Sequence, residues 1–236
     1  MITSRDNEKL RLVRKLAERR WREKLGLFAC EGEDLVAAAT AEPVVLLVAG
    51  ETVEPRLLAE LSPAAHPPRV IGVYRRSDLP APAERAAVLA LWRVADPGNL
   101  GTLIRAADAF GAAVALADGC ADPTGPKALR ASAGAIWRVP LVAFEDAAPP
   151  GGADRPGDGH RRVALLAAGA APIGDADLGG PVVFLLGAER AGLPAAVERD
   201  LDVWIPIASE SLNVAVAGGI ALYEWSRQNR GRAERP

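Results

Sequence analysis

Apolar positions along the chain follow two rhythms. In residues 4–22 they fall at Leu10, Val13, Leu16, Ala17 and Trp21, with basic residues between them, a spacing that predicts one amphipathic helix. Elsewhere they form short uninterrupted runs, at 44–48, 70–74, 87–94, 113–116, 163–168, 182–186 and 203–205, which predict strands, the last three of the buried, parallel type. A further short strand is expected at 27–30 and an extended stretch at 136–142, interrupted by Pro140. Helices are expected between these runs, at 33–39, at 55–61 with Pro55 in the first turn, and at 127–135. A longer one at 99–110 turns Leu100, Leu103, Ile104 and Ala107 inward and is stopped by Gly111. The last, at 212–230, carries Leu212, Val216, Ile220 and Tyr223 on one face.

Alternating strands and helices predict an α/β fold. The first 75 residues suffice for a small α/β domain, and the Pro-rich stretch at 77–83 reads as a linker. The expected division is therefore 1–76, a linker at 77–84, and 85–236. Residues 62–68 are expected as a loop, and the Pro/Gly/Asp-rich residues 149–160 as a disordered surface loop.

Charge changes this picture little in total and more in distribution. The net charge is −2, but residues 1–24 sum to +5 and the tail from Trp225 to +3, which leaves −10 for the body. Two basic ends on an acidic body suit a polyanionic partner, although solvated helix faces give the same pattern. Cys30 and Cys120 are too isolated for a zinc site or disulfide framework and read as small buried hydrophobes. The only histidines, His66 and His160, sit in Pro/Gly-rich stretches, which disfavours a His-centred triad or a metal site. The charged N-terminus lacks a signal core, and no apolar run approaches the ~18 residues of a membrane span, so a cytoplasmic location is expected.

Three places could carry chemistry. Asn99, Thr102 and Arg105 share one face of a helix, and Asn99 stands where an N-cap would be, beside free N–H groups suited to phosphate or sugar oxygens. An ordinary cap with a solvated arginine accounts for the same residues. Gly187 and Gly192 permit close backbone approach around Glu189, directly after a buried strand, though a turn with a surface acid reads equally. No G-x-G-x-x-G follows a strand, which disfavours NAD or FAD. Ser211 could cap the last helix, whereas Asn213 inside it hints at a specific partner. Gly218-Gly219 costs helix stability of about 1 kcal/mol per glycine, so something packs there too closely for a side chain.

The ordered segments DPGNLGTLIRAADAFGA, PKALRASAGAIWRVPL, FLLGAERAGLP and IPI…SLNVAVAGGIALYE resemble the motif series of SpoU/TrmH RNA 2′-O-ribose methyltransferases, of the SPOUT superfamily. RRWREKLGLFACEGEDLV resembles the substrate-binding domain found ahead of the catalytic domain in many members. The resemblance implies a ribosomal-protein-like α/β/α domain that grips RNA, then a parallel-sheet domain with a deep trefoil knot. It implies a homodimer that uses S-adenosylmethionine, with ribosomal RNA favoured over tRNA and neither metal nor membrane involved. Carried over by position, the catalytic residues are Arg105, Asn99, Glu189, Ser211 and Asn213. Leu186, Gly187, Ile205, Ile207 and Leu212 would hold the cofactor, and Arg5, Arg14, Arg20, Arg22 and Arg130 the RNA. Arg105 stands where the family's proposed base is, yet a guanidinium keeps its proton and suits alkoxide or phosphate stabilisation better. Two departures stand out: Arg190 where many members have glycine, and only four residues between Pro206 and Ser211 where about six are usual. A catalytically silent RNA-binding protein on the same scaffold is the alternative, and cofactor binding would separate the two.

Overall fold

The computed structural model describes residues 1–62, 67–147, 159–168, 171–188 and 191–230. Glu189 and Arg190, residues 149–158 of the expected loop, His66 and the last six residues of the basic tail lie outside that set.

The chain opens with α1 (Glu8–Leu16), α2 (Arg19–Leu25), β1 (Leu27–Glu31), α3 (Glu33–Ala37), β2 (Val45–Val48), α4 (Pro55–Ala59) and β3 (Val70–Arg75). Residues 4–22 therefore form two helices and not one. The break follows from Arg22, which turns back so that its Nη1 donates to the carbonyls of Leu16 and Ala17 at 2.7 and 2.9 Å. Those are the oxygens a helix end leaves without partners. The strands pair antiparallel in the order β1-β3-β2. One face of this sheet is closed by Leu10, Val13 and Leu16 of α1 with Leu57 and Leu58 of α4.

The larger sheet contains β4 (Ala87–Leu91), β5 (Ala113–Leu116), β6 (Leu141–Ala143), β7 (Arg161–Leu166), β8 (Ala171–Pro172), β9 (Val182–Leu186) and β10 (Leu201–Trp204). With it run α5 (Pro97–Phe110), α6 (Pro126–Ser132), α7 (Phe144–Ala147) and α8 (Val214–Asn229). The strand order is β6-β5-β4-β9-β7-β10-β8, and each pairing among the described residues is parallel. A parallel sheet buried on both faces explains the uninterrupted apolar runs. Leu89, Leu91, Phe184 and Leu186 face α5 and α8, while Val88, Ala90, Val183 and Leu185 fill the opposite layer with Phe144. The extended stretch expected at 136–142 is mostly absent: Ala135–Trp137 is a 3-10 turn, and only Leu141–Ala143 joins the sheet.

In α8 the apolar face marked by spacing points outward. The buried side of the helix is Val214, Ala215, Gly218, Ala221 and Leu222, whereas Val216 and Tyr223 are about half exposed. A Cβ on Gly218 would strike the Leu103 side chain of α5, so one of the two glycines answers to close packing. Gly219 faces open space.

The two sheets share a core. Phe28, Cys30 and Tyr74 belong to the same buried cluster as Leu89, Leu103 and Phe184. Tyr74 meets Trp137 edge-on at 4.8 Å between ring centroids, and Phe28 lies 5.5 Å from the same indole. Arg22 crosses between them, its Nε donating to Asp122 Oδ2 at 2.8 Å with both side chains buried. Asp122 Oδ1 accepts from the backbone N–H and the hydroxyl of Thr124 at 2.9 and 2.7 Å. Arg22 is thus consumed inside the protein and does not face RNA, the opposite of its expected role. Both cysteines are buried, and burial pushes the Cys30 thiol up to about 12.

Candidate active site

In a parallel sheet every strand ends on the same edge, and that edge is where such sheets bind ligands. Here a cavity of about 440 Å³ opens beyond the ends of β7, β9 and β10. All five residues expected to hold a cofactor, Leu186, Gly187, Ile205, Ile207 and Leu212, line it. Ser211 and Asn213 join them. The close approach expected at Gly187 is present, since a Cβ there would meet the backbone of Gly192 and Leu193. The shortened segment before Ser211 still reaches the cavity, through Ile207 and Glu210.

The sequence reading missed the end of β7, where Leu165, Leu166 and Ala167 form another wall. The signal was available, because 163–168 was expected as a buried strand and the strand-end rule applies to it as it does to β9.

Both helix starts at the site differ from expectation. Asp96, not Asn99, is the N-cap of α5, and its Oδ1 accepts from the Asn99 backbone N–H at 2.9 Å. Lys127 of α6 donates to Asp96 Oδ2 at 2.7 Å, and with the Asn99 amide it holds that carboxyl below its ordinary range. Asn213, not Ser211, caps α8, with Oδ1 accepting from the N–H groups of Ala215 and Val216. Asn213 is therefore a favourable terminus and not a residue forced into a helix. Its Nδ2 is left to donate, and Asn99 Oδ1 receives it at 2.9 Å. This bond ties the α5 residue, which lies outside the cavity lining, to one within it.

Thr102 turns its hydroxyl back to the Gly98 carbonyl at 2.8 Å, which leaves Arg105 the outward-facing cation of the expected trio. Arg105 is exposed, with no hydrogen-bond or ion-pair partner among the described residues. Of the arginines expected to meet RNA, Arg5 pairs with Glu60, and Arg14 donates to the Arg5 carbonyl at 2.9 Å. Arg20 pairs with Glu18 at 2.7 Å, and Arg130 lies 3.4 Å from Glu31. All four keep exposed side chains, in contrast to Arg22. Among the described residues no group of three or more His, Cys, Asp or Glu is placed to hold a metal ion. No helix there is long and apolar enough to cross a membrane.

Comparison with known proteins gives a consistent result. The SpoU rRNA Methylase family matches residues 86–223. The 23S rRNA (guanosine(2553)-2′-O)-methyltransferase RlmP of Bacillus subtilis is 32% identical, over 94% of this chain and 97% of its own. An uncharacterized tRNA/rRNA methyltransferase of Synechocystis is 31% identical, over 96% of this chain and 93% of its own. Among solved structures, the AdoMet-bound rRNA methyltransferase from Sinorhizobium meliloti superposes with a TM-score of 0.82 at 30% identity, covering 96% of this chain and 97% of that one. AviRb from Streptomyces viridochromogenes, in complex with AdoMet, gives 0.78 at 28% identity, covering 98% and 100%.

Proposed function

The chain belongs to the SpoU rRNA methylase family, and from that premise we propose that it methylates a ribose 2′-hydroxyl of RNA with S-adenosylmethionine as donor. Ribosomal RNA is the favoured substrate, in keeping with the RlmP relationship along nearly the whole chain. The observation that carries the reading is the Asn213–Asn99 bond, which couples the cavity wall to the helix bearing Arg105.

The cavity suits the cofactor chemically. Its volume is that of a small-molecule pocket, aliphatic walls at Leu165, Leu186, Ile205 and Leu212 suit a purine, and the Glu210 carboxylate suits a cation. Leu186, Gly187, Ile205, Ile207 and Leu212 would hold it, with backbone groups reading the edge of the base. When bound, S-adenosylmethionine supplies an electrophilic methyl group on a sulfonium centre.

The chain's own contribution is to orient and to stabilise charge. Arg105, exposed and without a partner among the described residues, is free to donate to a ribose oxygen as negative charge develops on that oxygen and to clamp a neighbouring phosphate. Asn99 and Asn213 set the distance between that cation and the cofactor pocket. Ser211 borders the same pocket, and Glu189 belongs to the proposed catalytic set by its motif alone.

Further features of the proposal concern architecture and assembly. β9 inserts between β4 and β7, a strand order that supports the threaded crossover of a trefoil knot. Residues 1–76 are proposed as the RNA-gripping domain, with 77–84 as its linker and 85–236 as the methyltransferase domain. The exposed apolar stripe of Val216 and Tyr223 on α8 supports a homodimer that covers it. A cytoplasmic location fits the substrate.

Mapping ribose methylation across total RNA from cells with and without the protein tests the reading. One nucleotide of ribosomal RNA should lose its protection from alkaline cleavage when the protein is absent. Loss at a tRNA position would reassign the substrate, and unchanged maps together with no cofactor binding in calorimetry would leave a silent RNA-binding protein.

A further inference from the structure

The helix break at Ala17 and Glu18 has a consequence for Trp21. In a single helix Trp21 would lie on the stripe of Leu10 and Ala17. In the structure it is half buried, and three cations stand over its ring, so a base that stacks there displaces them toward its own phosphates. Lys15 Nζ stands 4.9 Å from the ring centroid, Lys24 Nζ 5.2 Å and Arg20 Cζ 5.4 Å. An aromatic face attracts a cation, but three cations round one ring also repel one another. Glu18 offsets Arg20, at 2.7 Å. Lys15 and Lys24 have no carboxylate partner among the described residues. Leu25, one turn on, is 40% exposed and extends the apolar area beside the indole. Aromatic surface set among unpaired cations is what a single-stranded nucleic acid needs: a face for a base and charges for the phosphates beside it.

The position of this surface is as informative as its make-up. Arg19 of α2 reaches the Cys120 carbonyl at 3.4 Å, and Arg22 reaches Asp122, so α2 leans on the loop that follows β5. The Arg93 side chain lies against Gly119 of that same loop. Arg93 follows β4, is exposed, holds a left-handed φ of 53° and carries its guanidinium 5.7 Å from the Trp92 ring. A non-glycine residue in that conformation is uncommon and is worth a functional question. Beyond Arg93 the same segment delivers Asn99. The strand order β5-β4-β9 therefore places the loop that α2 leans on beside the segment carrying Arg93 and Asn99, and that segment beside the β9 end of the cavity.

We infer that Trp21 is a stacking platform for an unpaired RNA nucleotide, with Lys15, Arg20 and Lys24 on its flanking phosphates and Arg93 guiding the strand toward Asn99 and Arg105. The inference rests on the RNA reading above and specifies the form of RNA gripped. A paired A-form segment offers no free base face to an indole, so the RNA at this point is a loop, bulge or single strand.

Fluorescence anisotropy of the full-length protein with labelled twelve-nucleotide oligoadenylate, free and annealed to oligouridylate, tests this. Trp21→Ala should weaken single-strand binding about tenfold while duplex binding stays within about twofold, and Trp21→Phe should retain most of the affinity. Lys15→Ala with Lys24→Ala should weaken both and flatten the salt slope for the single strand by about 1.4, two phosphate contacts at about 0.7 each. Arg93→Ala should weaken the single strand as well. Equal loss of both RNAs in Trp21→Ala, or loss of neither, overturns the platform. So does tighter binding to phosphatidylglycerol vesicles than to either RNA. Calorimetry with S-adenosylmethionine separates the two readings: unchanged cofactor affinity in Trp21→Ala identifies a binding defect and not misfolding. A wild-type protein that grips the oligonucleotide but ignores the cofactor would sink the methyltransferase reading and leave the platform standing.

Discussion

Asn213 Nδ2 donates to Asn99 Oδ1 at 2.9 Å, and Asn213 Oδ1 at the same time caps α8. One amide thus serves two helices with its two ends. Because the capping oxygen must accept, only the NH2 group can face Asn99, which fixes how both side chains are turned. Asn213→Ala removes cap and tie together, and a loss of about 1–2 kcal/mol in denaturant unfolding is expected. Asn213→Asp keeps the capping oxygen but sets a second oxygen against Asn99 Oδ1. Stability should fall less than in the alanine variant while methyl transfer drops at least as far. The two readouts, unfolding and labelled-methyl incorporation, should part company.

Arg105 is exposed and without a partner among the described residues, so replacing it should leave the fold alone. Arg105→Ala is expected to melt at the wild-type temperature and bind S-adenosylmethionine with unchanged affinity. Its methyl transfer should fall by about 100-fold or more, the scale of removing one donor from a developing oxyanion. Wild-type turnover in that variant would remove Arg105 from the mechanism.

The glycines of α8 invite a paired comparison. Gly218→Ala drives a methyl group into Leu103 across the α5–α8 contact, and a cost of about 1–3 kcal/mol is expected from overpacking. Gly219→Ala meets open space within the protomer and should gain up to about 1 kcal/mol of helix propensity. Weakened self-association of the Gly219 variant in sedimentation would mark this stripe as the covered face.

The Arg22–Asp122 pair predicts how the protein meets acid. Burial alone would raise the Asp122 carboxyl, but hydrogen bonds from Thr124 and Arg22 outweigh it and hold the group below the usual carboxylate range. A group depressed in the folded state adds stability above its unfolded value, about 3.9, and loses it as pH falls through the folded value. Stability contributed by this pair should therefore be full at neutral pH and decline below about pH 4. Asp122→Asn should flatten that part of the acid-unfolding curve. At neutral pH, Arg22→Ala should cost about 1–3 kcal/mol, because Asp122 loses its close charge partner, keeping only Arg76 at 3.6 Å and Thr124, and two helix-end carbonyls are freed.

The shared core also bears on dissection. The sequence invites removal of residues 1–75 as a separable RNA-binding unit, with cofactor binding spared. Phe28 and Tyr74 pack on Trp137, so the truncation would bare apolar surface and take from Asp122 its closest charge partner, Arg22. Charge substitutions on α1 and α2 are the sounder way to separate RNA binding from cofactor binding.

What the sequence determined by itself was the inventory. Apolar runs of strand length are legible because a parallel sheet buries both faces, and motif order is legible because it is linear. All five residues expected around the cofactor do line one cavity. Tertiary structure decided which polar group serves which neighbour. Arg22 reads as one more basic side chain until the turn at Ala17 brings it to Asp122, a hundred positions away in sequence. Val216 and Tyr223 share a helix face by spacing, and which way that face points is decided only when Gly218 is found against Leu103. Asn213 reads as a misfit until its oxygen is seen capping α8. Periodicity records that a helix has a face, and a side chain's type records what it can donate or accept. Only the approach of distant segments decides which face is covered and which partner is reached.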